Sequence, residues 1–234
     1  MRFLALISGG KDSMLAAWLM GKQHSLACFG TIIPQSELSY MFHHVNAHLT
    51  LFQSIVAGLP ICVVNSAGMR DAELEDLRGL LSYAKSKFGI DAISCGVVKS
   101  KYQYFRISSL CEELGLRLLA PLWDRAEEEV LGLLLENGFE VVITRVAAQG
   151  LTREMLGKKL DSNLVDELLR LRERYKFSLV GEGGEYETFV LDCPLFKRKL
   201  EIGAARIEWD PTTQSGNYFI ESLRIVPKSF IATT

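Results

Sequence analysis

The sequence predicts an α/β protein in which a parallel-sheet domain, covered by helices on both faces, precedes a smaller α+β domain. Short apolar runs alternate with amphipathic segments through the first half of the chain, whereas two strand-like segments follow one another without a helix after residue 199. Repeated βα units are typical of a parallel sheet, and consecutive strands favour an antiparallel hairpin. The change of pattern near Trp123 predicts domains over residues 1–123 and 124–234.

The first domain is predicted to contain five strands separated by helices. We expect strands at residues 3–7, 26–33, 61–64, 91–95 and 116–120, and helices at 14–20, 46–58, 72–88 and 102–114. Asp12 or Ser13 is expected to cap the first helix and Asn46 the second, because short polar side chains accept bonds from the free N–H groups at helix starts.

The second domain is predicted to begin with helices and to end in strands. Asp124 and Glu127 have the spacing of a capping box that would open a helix over residues 128–137. A strand over 140–146 and a helix capped by Asp161 follow. The last two predicted strands, 200–209 and 218–226, are joined by a turn at 212–217.

Composition narrows the class of protein. The formal net charge is −2, with 48% hydrophobic and 23% charged residues, so no strong field attracts nucleic acid or a membrane surface. No apolar run reaches the roughly 18 residues of a membrane helix. The five cysteines form no C-x-x-C pair, so a zinc or iron–sulfur site of that kind is not expected. We expect a cytoplasmic protein without membrane or nucleic-acid partners, and a homodimer stays open.

A glycine turn at residues 8–13, Ser-Gly-Gly-Lys-Asp-Ser, joins the first strand to the first helix. Gly9 and Gly10 let the backbone approach a ligand, and the N–H groups and helix dipole favour an anion, to which Lys11 adds a positive charge. A Walker A motif would need a glycine five residues before Gly10 and a Ser or Thr at Asp12, and a dinucleotide fingerprint would need a glycine at Lys11. The turn, called the phosphate loop below, therefore predicts a phosphate site of another class.

Residues 181–188, Gly-Glu-Gly-Gly-Glu-Tyr-Glu-Thr, form a second unusual stretch, called the acidic segment below. Three acids beside three glycines make a poor core and a poor regular strand. If the chain after Gly184 is extended, Glu185 and Glu187 share one face. Such a segment could hold magnesium or another cation, and the structural alternative is an exposed acidic turn.

Two further stretches lie near predicted strand ends. Residues 40–46, Tyr-Met-Phe-His-His-Val-Asn, contain adjacent histidines whose side chains point apart in an extended chain, which argues against one shared metal. Residues 96–103, Gly-Val-Val-Lys-Ser-Lys-Tyr-Gln, form a glycine loop between a predicted strand and a predicted helix, as the phosphate loop does, but they predict a ligand site more weakly. Ligands of open parallel sheets bind beyond the carboxyl ends of the strands, where these stretches are expected to gather.

The phosphate loop resembles that of the ATP pyrophosphatases, which cleave ATP between the α and β phosphates. Together with residues 40–46 and 96–103, Arg106, the Pro-Leu-Trp at 121–123 and residues 182–196, it resembles the diphthine–ammonia ligase family in order and spacing. The resemblance implies a Rossmann-like adenine-nucleotide alpha-hydrolase domain followed by a smaller domain. It also implies amidation of diphthine, the modified histidine of translation elongation factor two, with ATP and ammonium.

The resemblance and the pattern together give the expected site residues. Nucleotide-binding residues are expected to be Ser8, Gly9, Gly10, Lys11, Asp12, Ser13, Thr31, Ile33 and Gly96. Substrate-side residues are expected to be His43, Asn46, Tyr102, Gln103, Trp123, Glu182, Gly183, Gly184, Tyr186 and Thr188. Lys11, Asp12, Glu185 and Glu187 are the catalytic candidates, and Asp12 is the candidate magnesium ligand. For the trimethylammonium group of diphthine we expect aromatic faces and carboxylates, with Trp123, Tyr186, Glu185 and Glu187 as candidates.

Two other functions remain open at this stage. Sulfur transfer to RNA would use a reactive thiol near the strand ends, for which Cys95 or Cys193 could qualify. A regulator that binds ATP without turnover would release no pyrophosphate. The second residue is Arg2 rather than a nucleophilic cysteine, so free ammonium rather than glutamine is the expected nitrogen donor.

Overall fold

The computed structural model describes residues 1–34, 46–66 and 70–228, with only the backbone of residues 70 and 71. The predicted histidine stretch at 40–45 lies outside the described residues. The strands are β1 (Arg2–Leu6), β2 (Ser25–Pro34), β3 (Ile61–Ser66), β4 (Ala92–Ser94), β5 (Arg117–Leu119), β6 (Glu140–Val146), β7 (Tyr186–Asp192), β8 (Arg198–Asp210) and β9 (Ser215–Pro227). The helices are α1 (Lys11–Gly21), α2 (Thr50–Ala57), α3 (Arg70–Phe88), α4 (Lys101–Glu113), α5 (Glu127–Glu136) and α6 (Ser162–Tyr175), with 3₁₀ turns at Ala47–Leu49 and Arg153–Met155.

The first sheet is parallel, with strand order β3-β2-β1-β4-β5. Its central strand, β1, is apolar on both faces, and Phe3, Leu4 and Ala5 are fully buried. A strand of this kind needs cover on both sides, which the helices that alternate with the strands supply. The predicted parallel α/β fold is confirmed.

The second sheet is antiparallel, with strand order β7-β6-β9-β8. The β8–β9 hairpin pairs from Arg198 opposite Pro227 to Asp210 opposite Ser215, as the consecutive strand pattern predicted. β6 pairs with β7 on one side and with the start of β9 on the other. This sheet forms the predicted smaller α+β part of the molecule.

A continuous apolar core joins the two sheets. On one face of the first sheet, Ala5 and Phe29 belong to the same buried cluster as Val142 and Phe189 of the second sheet. On the other face, Leu4 packs in a separate cluster that includes residues of α3 and α4. The second sheet is therefore packed against the α1 side of the first, and it reaches the end of the sheet where β1 meets the phosphate loop.

One predicted helix cap is confirmed and one is wrong. Asp161 caps α6, since its Oδ1 accepts a 2.9 Å bond from the Leu164 N–H. Neither Asp12 nor Ser13 caps α1, which begins at Lys11 with Gly10 as its N-cap. The Ser13 hydroxyl instead donates to the Gly10 carbonyl over 3.1 Å, so it closes the turn rather than the helix end.

The side chains of two other predicted caps, Asn46 and Asp124, make contacts with distant residues instead. Asn46 has a left-handed φ of 61°, and its side chain bridges to β9, donating to the Tyr218 carbonyl at 2.9 Å and accepting from the Ile220 N–H at 3.0 Å. The expected capping box at Asp124 is wrong, because α5 begins at Glu127 with Ala126 as its N-cap. The Asp124 carboxylate lies 2.7 Å from the Lys99 Nζ instead.

Among the described residues, the helices lack the combination of length and apolar character that a membrane span requires.

Candidate active site

The phosphate loop turns sharply between β1 and α1. Gly9 has a φ of +89°, which a residue with a side chain rarely adopts. The Ser13 Oγ accepts from the Ser8 N–H at 3.2 Å and lies 3.3 Å from the Ser8 Oγ. The hydroxyls thus fix the shape of the turn, and α1 starts where the turn ends. The loop therefore has the conformation that an anion site at a helix start needs.

β7 and α2 hold the phosphate loop from outside. The Lys11 N–H donates to the Thr188 Oγ1 at 3.1 Å, and the Val190 N–H donates to the Gly9 carbonyl at 2.9 Å. The buried Gln53 amide from α2 donates to both the Gly9 and the Val190 carbonyls, at 3.0 and 2.9 Å. These contacts place the acidic segment, which leads into β7, directly beside the phosphate loop.

The Lys11 ammonium is buried between the two halves of the chain, with a side chain only 2% exposed. Its Nζ donates to the Asp12 Oδ2 at 2.8 Å and to the Val180 carbonyl, and lies 4.9 Å from the centre of the Tyr186 ring. Burial lowers the pKa of Lys11, but Asp12 and Tyr186 raise it by more, so the pKa lies above its ordinary value of 10.5. Lys11 therefore carries a fixed positive charge at neutral pH.

The Tyr186 side chain lies against the Lys11 ammonium and supports it. Its ring is 2% exposed, and its hydroxyl donates to the Leu179 carbonyl at 2.6 Å. Burial raises the pKa of this hydroxyl to about 12, against the opposing effect of Lys11. The tyrosine is thus a neutral, buried support for the Lys11 cation.

Glu182 connects the acidic segment to the loop before α4. Its Oε1 accepts from the Val98 N–H at 2.7 Å and its Oε2 from the Lys99 N–H at 2.5 Å. Gly96, at the start of that loop, lies so close to α1 that a Cβ there would be 2.4 Å from the Ser13 nitrogen. Three loops that are far apart in sequence therefore meet at the carboxyl end of the first sheet.

A cavity opens where these loops meet. Its lining consists of Leu6, Ile7, Ser8, Gly10, Lys11, Asp12, Ser13, Gly30, Thr31, Ile32, Cys95, Gly96, Val97, Gln103, Ile107, Val180, Gly181, Glu182, Tyr186, Glu187 and Thr188. One part is apolar and formed by strand ends and α4, and the other carries the phosphate loop and the acidic segment. This division suits a ligand with a flat apolar part and an anionic part.

Several sequence-predicted site residues lie outside this lining, as far as the described chain is concerned: Gly9, Ile33, Asn46, Tyr102, Trp123, Gly183, Gly184 and Glu185. Gly9 nonetheless shapes the phosphate loop. Trp123 stacks on Tyr104 with ring centres 4.1 Å apart, and the Tyr102 hydroxyl accepts from the Arg106 Nη1 at 2.9 Å. His43 lies outside the described residues.

The two catalytic candidates of the acidic segment are placed differently. Glu187 lines the cavity, whereas the Glu185 Oε1 accepts a 3.0 Å bond from the Ser178 N–H and so supports the segment from behind. The predicted cation pocket changes accordingly. Tyr186 and Glu187 both line the cavity, but the Tyr186 ring already faces Lys11, and Trp123 is stacked elsewhere, which leaves Glu187 as the candidate for the cation.

The residues that were not predicted lie mainly in the apolar part of the lining. Leu6, Ile7, Gly30, Ile32, Val97, Ile107, Val180 and Gly181 were not named as site residues, and Cys95 was named only for the sulfur-transfer alternative. The first four belong to the carboxyl ends of β1 and β2 and their flanks, to which the strand-end rule already pointed. Ordinary strand residues carry no further signal of a ligand, so only the rule could have found them.

Buried polar atoms in the lining are available to a ligand. Within the described residues, the Asp12 Oδ1 and the Thr31 Oγ1 are buried without a hydrogen-bond partner. Buried polar atoms are almost always paired, so such exceptions in a cavity favour a ligand contact. Magnesium is commonly held by one or two carboxylates together with substrate phosphates, and Asp12 fits that role. The described residues hold no cluster of three or more metal-ligating side chains.

Comparison with known families gives a consistent assignment over both sheets. The model of the diphthamide synthase N-terminal domain matches residues 1–118, and that of the C-terminal domain matches residues 126–226. The chain belongs to the diphthamide synthase family.

Family members with curated names agree. The diphthine–ammonia ligases of Bos taurus and Homo sapiens are 36% and 35% identical to this chain, and each alignment covers 88% of this chain and 85% of the relative. The diphthine–ammonia ligase of Saccharomyces cerevisiae is 34% identical over 84% of this chain but only 34% of its own length. The family is thus one of ligases, and this chain corresponds to most of the mammalian members.

Proposed function

We propose that this protein uses ATP to amidate the diphthine carboxylate of translation elongation factor two, with ammonium as the nitrogen source. The names of its relatives support the reaction. The observation that carries the proposal for the site is the Lys11 N–H bond to the Thr188 Oγ1, 3.1 Å long, because it brings the phosphate loop and the acidic segment into one cavity. ATP and the carboxylate can then meet in a single place.

Direct amidation of a carboxylate would have to expel hydroxide, a poor leaving group, and the proposed chemistry replaces it with AMP. A carboxylate oxygen attacks the α-phosphorus of ATP, the bond to the β-phosphate bridging oxygen breaks, and pyrophosphate leaves. Ammonia then attacks the acyl carbon, loses a proton and expels AMP. Both steps depend on positioning and on stabilising negative charge, which fixed N–H groups and cations can provide.

On this proposal the phosphate loop binds the pyrophosphate part of ATP. The Ser8 and Ser13 hydroxyls and the Lys11 charge belong to the part of the cavity where the anion would lie, and the buried Asp12 Oδ1 would hold magnesium. Magnesium, when bound, neutralises charge on the phosphates. The Lys11 ammonium already bonds to Asp12 and Val180, so it acts as a fixed charge near the phosphates rather than as a flexible arm.

The carboxyl substrate is proposed to enter beside the acidic segment. Glu187 faces the cavity, and an acid there can attract the trimethylammonium group of diphthine or accept a proton from ammonium, which yields the ammonia that attacks the acyl carbon. Glu185 supports this wall through its bond to the Ser178 N–H. The apolar strand ends opposite are left for the adenine ring.

The thiol-based alternative finds little support. Cys95 lines the cavity, but burial raises its pKa to about 11, and the same cause raises that of Cys193, which lies off the lining, to about 12. A thiol protonated at neutral pH is a poor nucleophile. A regulator without turnover is separated from the ligase by a single assay, since only the ligase releases pyrophosphate.

The test is incubation of the purified protein with ATP, ammonium and diphthine-bearing elongation factor, followed by mass measurement of the factor and of released AMP. The proposal expects conversion of carboxylate to amide with one AMP per amide. An Asp12→Asn variant in parallel should form neither product. An unchanged factor in the presence of all three components would refute the proposed substrate.

A further inference from the structure

The carboxylate of Glu182 bonds to two consecutive backbone N–H groups across 84 residues of sequence. Each oxygen accepts one bond, Oε1 from Val98 at 2.7 Å and Oε2 from Lys99 at 2.5 Å. Bonds that involve an ionised acceptor are about twice as strong as neutral ones, and the two oxygens match the two donors in direction. This is the main polar link between the acidic segment and the loop at residues 96–100, called the Gly96 loop below.

The Gly96 loop is fixed at both ends by other contacts. Gly96 packs against the first turn of α1 without room for a side chain, and the Ser100 hydroxyl caps α4 by accepting from the Gln103 N–H. Between these ends, the Lys99 side chain pairs with Asp124 in an exposed position, where an ion pair contributes little. The Val98 side chain is buried in the core, and the Val98 carbonyl accepts a 2.9 Å bond from the Asp124 N–H. What Glu182 adds is the pairing of the Val98 and Lys99 N–H groups, which fixes the direction of the backbone there.

The acidic segment is anchored without help from Glu182. The Glu127 carboxylate, in the first turn of α5, accepts from the Ser178 hydroxyl at 2.7 Å and from the Leu179 N–H at 3.0 Å. The Val180 carbonyl accepts from the Lys11 ammonium. At the other end of the segment, the Thr188 Oγ1 accepts from the Lys11 N–H. Since the segment is held at both ends, Glu182 projects from a stable support towards the two N–H groups of the Gly96 loop.

We infer that Glu182 is a positioning residue that fixes the backbone of the Gly96 loop at Val98 and Lys99 beside the ATP cavity. Val97 of the loop and Glu182 itself both line that cavity, so the bonded backbone forms part of its wall. This inference rests on the proposed use of the cavity for ATP. When only a fraction of molecules has the loop in place, the apparent dissociation constant for ATP rises by the reciprocal of that fraction.

Glu182→Ala and Glu182→Gln separate this role from others. Alanine removes both bonds, whereas glutamine keeps the shape but offers an NH₂ group to one of the two N–H donors, so one bond is lost. We expect Glu182→Ala to weaken ATP binding by about tenfold, which corresponds to about 1.4 kcal/mol, and Glu182→Gln by less, because glutamine loses only one of the two bonds. Calorimetric titration with ATP measures both, and Glu167→Gln, an exposed acid on α6, serves as the control.

Two further readouts distinguish positioning from a general loss of structure. Hydrogen exchange at the Val98 and Lys99 amides should be slow in the wild type and faster in both variants, with the amides of β1 unchanged. In the amidation assay, KM for ATP should rise while kcat at saturating ATP is kept. Unchanged ATP affinity in Glu182→Ala would overturn the inference, as would a fall in kcat at unchanged KM, which would make Glu182 a catalytic residue.

These outcomes are separable from those of the proposed function, because ATP affinity and amide exchange are measured without the elongation factor. A protein whose ATP binding depends on Glu182 but that leaves the factor unchanged would refute the substrate and keep the positioning role. Normal amidation with an ATP affinity independent of Glu182 would refute the positioning role and keep the proposed substrate.

Discussion

Replacement of Lys11 by methionine tests the buried cation on which the site is built. Methionine fills similar space but removes the 2.8 Å bond to the Asp12 Oδ2, the bond to the Val180 carbonyl and the contact with the Tyr186 ring. A buried carbonyl left without its donor costs about 1–3 kcal/mol, and the lost ring contact about 1 kcal/mol. Asp12 is 26% exposed, so water can solvate part of its carboxylate, and the loss stays below the roughly 3–5 kcal/mol of a fully buried broken pair. We expect a fall of about 2–4 kcal/mol in the free energy of unfolding.

The same change should affect turnover by a larger factor. Removal of one fixed charge from a developing anion typically lowers kcat by about 10²–10³-fold. Urea unfolding gives the stability, and pyrophosphate release well below the melting temperature gives the turnover, with exposed Lys87→Met as the matched control. Turnover within twofold of the wild type would refute the assignment of Lys11 to the phosphates, and unchanged stability would refute its role as a link between the sheets.

Alkaline pH provides an independent check on Lys11. Its folded-state pKa lies above 10.5, so the charged form is favoured by folding. The stabilisation is therefore fully present below pH 10.5 and is lost as the pH rises through the folded-state pKa. The stability difference between the wild type and Lys11→Met should stay constant from neutral pH to about 10.5 and shrink above it; a difference that grows with alkalinity would contradict this sign.

Three further changes test separate parts of the site. Gly96→Ala should abolish ATP binding in calorimetry, because the new Cβ would meet the α1 backbone at 2.4 Å; wild-type affinity would contradict the packing of the loop. Glu187→Gln should lower the amidation rate by about 10²-fold with ATP affinity kept, and Glu185→Gln by less, as measured by mass assay; equal effects would contradict their different placement. The Cys95→Ser, Cys193→Ser double variant should amidate with ammonium and, like the wild type, fail to use glutamine; efficient use of glutamine by the purified protein would contradict free ammonium as the donor.

The parallel sheet was predictable because buried strands and covering helices leave a periodic signal in the sequence. The wrongly predicted caps show what such a local signal does not contain. Asp161 was predicted correctly because its partner, Leu164, is three residues away. Asn46 bonds instead to β9, 172 and 174 residues away, and no local pattern predicts which distant strand will compete for a side chain.

The features of the site also divide into those predictable from the local sequence and those that depend on contacts between distant residues. The phosphate loop and the acidic segment were found from residue types alone, and the strand-end rule predicted where the phosphate loop would lie. Which acid faces the cavity depends on the register of β7 against β6, with Glu187 opposite Arg145, and that register is a tertiary property. Trp123 was expected in the substrate pocket for its aromatic face, but it stacks on Tyr104 at 4.1 Å.

The central claim is that ATP activates the substrate carboxylate at its α-phosphorus, above the phosphate loop. Amidation of diphthine labelled with oxygen-18 in its carboxylate tests this most directly, because one carboxylate oxygen must leave with the nucleotide. The account predicts one labelled oxygen in AMP for each amide formed and none in pyrophosphate. Unlabelled AMP, or label in inorganic phosphate together with ADP, would contradict it.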